Sequence, residues 1–267
     1  NARPNRDQFK TTYPVYVVAA QGGGIYAAYH AATLLARLQD HCPEFRNHLF
    51  AISSVSGGSL GAAVFAATVK ALAAGPGSTP EPESEEPAGV AAAQPPLPCP
   101  SMERAGLSRS ISRAPGLHEE AVSNVLASDF LSPLVAATLF PDFTQRFLPF
   151  PVQAFDRARW LERAFEHGWT AAGLDGPNPL EESMLKAWSP TGPSPALLIN
   201  MTESDSGRRV VVSPFTVGNA WEVLSFQLRD RWVSNPRRRC HGREISLSTA
   251  VGLSARFPWL TPAGSLT

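Results

Sequence analysis

The stretch Ala51-Ile52-Ser53-Ser54-Val55-Ser56-Gly57-Gly58-Ser59-Leu60-Gly61-Ala62-Ala63 decides how the chain is read. A short apolar run feeds a serine set among glycines, and a long run of small residues follows. That order predicts a strand, a sharp turn presenting a hydroxyl, and a helix able to lie close on a sheet. Two serines compete for the turn. Ser56 lies in Ser54-Val55-Ser56-Gly57-Gly58, which is G-x-S-x-G with its first glycine replaced by serine. Ser59 lies in Gly57-Gly58-Ser59-Leu60-Gly61 and fits the pattern literally. Position favours Ser56, which comes directly off the run Leu49–Val55. Ser59 falls within the first helical turn, where serine commonly caps or packs.

Upstream, Tyr13-Pro14-Val15-Tyr16-Val17-Val18-Ala19-Ala20 is continuously apolar and suits a strand buried on both faces of a parallel sheet. Gly22-Gly23-Gly24 breaks it, and apolar residues at helical spacing predict a helix over Ile25–Asp40. The second strand is expected over His48–Ser54 and the next helix over Gly58–Ala74. Such a β–turn–α–β–turn–α order implies a right-handed crossover and a parallel sheet. Both glycine turns then lie at the carboxyl ends of their strands, where open α/β sheets bind ligands. A three-layer α/β/α sandwich with a mainly parallel central sheet is the expected fold, as a single domain over residues 1–267.

Residues 75–116 differ in kind. Gly75-Pro76-Gly77-Ser78, Glu81-Pro82-Glu83-Ser84-Glu85-Glu86 and Gln94-Pro95-Pro96-Leu97-Pro98 are low in complexity and too polar to build a core, so this segment reads as a disordered insertion. Helical patterning returns over His118–Phe150, an amphipathic helix is expected over Asp156–Gly168, and a shorter one over Pro179–Trp188. Ala196–Thr202 and Val210–Ser213 read as paired strands around Asp205-Ser206-Gly207. A helix over Glu244–Phe257 ends at Pro258.

Net charge is zero, with 23 basic and 23 acidic residues, so no overall field favours nucleic acid. The three cysteines, Cys42, Cys99 and Cys240, show neither metal-pair spacing nor a disulfide framework, and a reducing compartment is expected. His30, His41, His48, His118 and His167 show no metal spacing. No signal peptide and no unbroken run long and apolar enough to span a bilayer are read from the sequence. The glycine run lacks the G-x-G-x-x-G of a dinucleotide site and the Gly-Lys-Ser/Thr of a P-loop, so no cofactor is expected. Bare backbone N–H groups near a helix start suit an oxyanion hole equally well.

Gln21-Gly22-Gly23-Gly24-Ile25, about thirty residues before Ser54-Val55-Ser56-Gly57-Gly58-Ser59-Leu60, resembles the patatin-like phospholipase family in its bacterial form. Leu198-Ile199-Asn200-Met201-Thr202-Glu203, Gly207-Arg208-Arg209 and Ser254-Ala255-Arg256-Phe257-Pro258 extend the resemblance over most of the chain outside the insertion. It implies a serine lipid acyl hydrolase that works through an acyl-enzyme with a Ser–Asp dyad. Ser56 would be the nucleophile, and the amides of Gly22, Gly23 and Gly24, assisted by Gly57, the oxyanion hole. Phospholipid or another lipid ester would be the substrate, met in the cytoplasm or at the cytoplasmic face of a membrane.

The chain departs from the family in three places. Ser54 stands at the first elbow glycine, and Tyr26 stands where many members carry arginine after the glycine run. No aspartate follows Asp230, so an Asp-Gly-Gly or Asp-Gly-Ala turn is expected beyond Thr267. Asp175-Gly176, the single Asp-Gly in the chain, precedes the matched strands and is a poor base. A triad of Ser56 with Asp205 or Asp230 and His241 is formally in order, but His241 sits in an arginine-rich loop. The alternative to an enzyme is a lipid- or protein-binding domain that keeps the fold without the base. The aromatic stretch Phe130–Phe150 is expected either to cap the core or to form a lip at a lipid interface, and Arg229–Arg243 either to be solvated or to meet anionic head groups.

Overall fold

The computed structural model describes residues 12–73, 114–150, 152, 155–174, 176–215, 224–227, 245–257 and 261. Strand β1 (Tyr16–Ala20) leads through the glycine turn into α1 (Gly24–His41), and a short α2 (Phe45–His48) leads into β2 (Leu49–Val55). The turn at Ser56 opens α3 (Gly57–Ala73). Helices α4 (Leu117–Leu126), α5 (Leu131–Leu139), α6 (Pro141–Gln145) and α7 (Arg157–Ala171) follow. Strands β3 (Ala196–Thr202), β4 (Arg209–Ser213) and β5 (Leu224–Gln227) precede the final helix, α8 (Leu247–Ala255).

The sheet runs β1-β2-β3-β4-β5. The β1/β2, β2/β3 and β4/β5 pairs are parallel, and β3/β4 is the expected antiparallel pair. The protein is therefore a mixed α/β fold on a mainly parallel open sheet. Register fixes the two faces: Val18, Ile52 and Leu197 are aligned on one, and Val17, Ala51 and Ala196 on the other. The first set joins the core with α1, α3, α4, α7 and α8. Helices α1 and α3 share this face because successive right-handed crossovers advance in the same direction.

Helix α3 is apolar all round, and every residue from Gly57 to Val69 is buried, as such a helix requires. It lies on the sheet with α1 and α4 outside it. Fully burying a residue such as Phe65 or Ile52 contributes about 1.5–3 kcal/mol. Strand β1 departs from the expectation of burial on both faces. It is an edge strand, and Val17 on the second face is 62% exposed.

Four further differences are seen, and the first three have causes in nearby side chains. The single helical stretch expected over His118–Phe150 is three helices. The Asp129 side chain accepts from the N–H groups of Leu131 and Ser132 and restarts the chain as α5, and Pro141 starts α6. Pro179–Trp188 forms turns and one 3-10 turn (Met184–Lys186), because Asn178 and Ser183 side chains take the Leu180 and Leu185 N–H groups. Helix α8 begins at Leu247 and not at Glu244, since Ser246 caps it by accepting from the Thr249 N–H at 3.1 Å. Cys42 is buried and disulfide-bonded, which corrects the expectation of no disulfide; Cys99 and Cys240 lie outside the described residues. So do 75–113 of the low-complexity segment.

Helices α1 and α4 are clamped at one end by Asp40. Its carboxylate accepts from the His118 ring at 2.8 Å and from the backbone N–H groups of His118 and Glu119 at 2.9 Å each. Gly116, the residue before α4, has no side chain to offer as a cap, so Asp40 caps the helix from across the interface. Burial would push this carboxyl up, but the hydrogen bonds from His118 and Glu119 outweigh it and hold it below the ordinary aspartate value. Arg37 pairs with Glu119 beside it.

Candidate active site

Strand β2 ends in Val55, and Ser56 turns the chain into α3 with φ 55°. Among the described residues it is the one non-glycine with positive φ. A side chain held there costs on the order of 1–2 kcal/mol. The turn aims the Ser56 side chain out of the helix that follows and leaves the residue half-buried. Its backbone carbonyl accepts from the Ser59 N–H at 2.9 Å, which starts α3.

Ser59 has a different part. It is fully buried, and its hydroxyl lies 3.0 Å from the Ser254 hydroxyl of α8. Ser254 Oγ also accepts from the Ser56 N–H at 2.9 Å and donates to the Asn200 carbonyl at 2.6 Å. A chain of polar groups thus ties the turn to α3, α8 and β3. The Asn200 side-chain amide donates in turn to Ser53 Oγ, the Ser54 carbonyl and the Leu198 carbonyl. It locks β2 to β3 just before the turn. Between the two serines, burial selects Ser56 as the accessible hydroxyl.

The glycine turn lies against Ser56. A Cβ on Gly22 would stand 3.1 Å from the Ser56 Cβ and 3.8 Å from its Oγ. The two helix starts also interlock, since a Cβ on Gly57 would fall 1.9 Å from the Gly24 carbonyl oxygen. One on Gly58 would fall 2.4 Å from the Gln21 carbonyl oxygen, and one on Gly61 2.3 Å from that of Ala28. Gly23 and Gly24 adopt φ 151° and 61°, which bends the strand sharply into α1. The first N–H groups of a helix have no intrahelical acceptor. Two helix starts meeting beside one hydroxyl therefore concentrate donors and the positive ends of two helix dipoles there. Such an arrangement suits a developing oxyanion.

Ser54 is buried, and no hydrogen-bond partner meets its Oγ among the described residues. Its side chain shares the helix-covered face with Ile52, away from the mouth of the turn. Tyr26 is 79% exposed on the first turn of α1.

Among the described residues no side chain hydrogen-bonds the Ser56 hydroxyl. Asp205 sits exposed in the β3–β4 turn, where Ser204 is its partner. Asp175, Asp230, His241 and the arginine segment 229–243 lie outside the described residues. His48 is buried, bonds the Pro14 carbonyl at 3.0 Å and stacks on Tyr13, while His118 serves Asp40. No cluster of metal-ligating side chains occurs among the described residues.

The role of Ser254 is not legible in the sequence, although it lies in the segment Ser254-Ala255-Arg256-Phe257-Pro258. Its only sequence signal is its place next to the last residue of a helix capped by Ser246. No protein-family model, curated protein or solved structure matches the chain.

Proposed function

We propose that the protein is a serine acyl hydrolase of the patatin-like type, acting on ester bonds of phospholipids or related lipids. The observation that carries the reading is Ser56, held in a left-handed turn between a strand and a buried helix and flush against the Gly22–Gly24 backbone. In this reading the Ser56 hydroxyl attacks the ester carbonyl as its proton passes to an aspartate outside the described residues. The carbonyl oxygen becomes an oxyanion met by amides of Gly22–Gly24 and Gly57. Collapse expels the alcohol and leaves an acyl-enzyme, which water hydrolyses with the same aspartate as base. The open sheet face at Val17 then takes the second helical layer of a three-layer sandwich.

A binding domain of the same fold is the second reading, favoured by the Ser56 hydroxyl meeting no side-chain partner among the described residues. The two separate on labelling of the whole protein with a fluorophosphonate. The hydrolase labels, and Ser56→Ala abolishes the label. Equal labelling of both proteins, or none of either, refutes the assignment.

A further inference from the structure

We propose that the aromatic tip Phe140–Phe150 docks the protein on a bilayer with anionic head groups, bringing the Ser56 turn to the lipid surface. The purpose, though not the docking, rests on the proposed lipid hydrolysis.

Helix directions place the tip. Helix α8 runs toward Ser56, which its next-to-last residue, Ser254, contacts. Beside it α7 runs the opposite way: Ser248 donates to Glu166 at 2.5 Å, and Thr249 donates to Glu162 at 2.9 Å. The first residue of α7, Arg157, therefore stands at the Ser56 end, and there it pairs with Asp142 of α6. The tip and the glycine turn lie at the same end of the molecule.

The tip is apolar and exposed. Phe140 is 69%, Phe143 54% and Phe147 74% exposed, and Tyr26 and Phe257 add exposed rings near the turn. Phe143 and Phe147 meet edge to face at 5.4 Å and form one small exposed aromatic cluster. A fluid phase can close around them, and aromatic rings favour the bilayer interface. By length and composition Leu117–Gln145 passes as a membrane span, with mean hydropathy 1.4 and 33% of that window buried. Its breaks at Asp129 and Pro141, and the burial of Leu134 and Ala137, make it three helices on a core and not one rod.

Charge selects the surface. Between residues 130 and 150 the charged side chains are Asp142 and Arg146. Asp142 is neutralised by Arg157, which leaves the exposed Arg146 between Phe143 and Phe147. A cation set among interfacial rings favours anionic head groups.

The test is flotation of the full chain bearing Ser56→Ala, with vesicles of phosphatidylcholine alone or mixed with phosphatidylglycerol. We expect binding to the mixed vesicles, weakened about tenfold or more by Phe143→Ser with Phe147→Ser, whose sites are exposed. Arg146→Glu should weaken binding to mixed vesicles more than to phosphatidylcholine. Absent binding, equal binding by the double variant, or rings that instead mediate self-association in sedimentation would overturn the proposal. Vesicle binding by this variant with no fluorophosphonate labelling of the chain that keeps Ser56 defeats the hydrolase reading alone, and labelling of that chain without vesicle binding by the variant defeats the docking alone.

Discussion

The backbone N–H of Ser56 donates to the side-chain oxygen of Ser254 at 2.9 Å, across 198 residues of chain. Through that one hydroxyl the last described helix holds the turn in which the candidate nucleophile sits. Ser254→Ala leaves the Ser56 N–H, the buried Ser59 hydroxyl and the Asn200 carbonyl short of a partner. A loss of about 1–3 kcal/mol is expected in urea unfolding, with slower fluorophosphonate labelling of the fraction that remains folded. Unchanged labelling would show that the turn holds itself.

Ser56→Gly relieves the left-handed backbone, whereas Ser56→Ala keeps it. The glycine variant should be the more stable of the two by roughly 1 kcal/mol, read as a higher thermal midpoint, and both should be inert to the probe. Equal midpoints would mean that the turn carries no strain.

Glycine positions separate blocking from unfolding. A methyl on Gly22 reaches the space beside Ser56 with only a tight contact, so Gly22→Ala should cut labelling about tenfold or more with a small change in stability. A methyl on Gly57 meets the Gly24 carbonyl, and Gly57→Ala should cost on the order of 3 kcal/mol. The two variants are compared by labelling rate and by thermal midpoint; the reverse ranking contradicts the packing.

Among the described residues the buried Ser54 hydroxyl has no partner, so Ser54→Ala is expected to be neutral or stabilising by up to about 1 kcal/mol. A clear fall in the urea midpoint would reveal a hydrogen bond made by that hydroxyl.

Asp40 supplies the pH-dependent contribution. Because its folded pKa is depressed, its stabilisation is present above the ordinary aspartate range and lost as pH falls through the lower folded value. Asp40→Asn should cost about 1 kcal/mol at neutral pH, discounted for partial exposure. That difference should shrink below about pH 4. A difference independent of pH would assign the effect to packing.

The parallel core was legible because its signals are local: β-branched runs ending in glycine, then small-residue helical spacing. Strand phase, with the upstream glycine run, points to Ser56, and the structure has that residue in the turn after β2. Its tie to Ser254 was not legible, since a contact between residues 56 and 254 leaves no trace in either neighbourhood. The helix expected over Pro179–Trp188 failed because Asn178 and Ser183 compete for backbone donors, and the bridge from Ser183 to Ser246 is again non-local. The exposure of Val17 depends on which strand lies at the edge, which periodicity does not encode. The disulfide at Cys42 escaped for the same reason, because spacing along the chain says little about proximity in space.

The bare row of Gly57, Gly58 and Gly61 has a consequence for how this site can change. The interlock of the two helix starts at these positions is a contact between main chains, so no graded side-chain substitution at Gly57, Gly58 or Gly61 can widen or narrow it. Substitution there can only break it. In the proposed hydrolase, variation in what the site accepts would therefore come from the rim, at Tyr26, at Phe257 and along the aromatic tip, while the floor stays fixed. A directed search for altered substrate preference should leave the glycines untouched and diversify the rings.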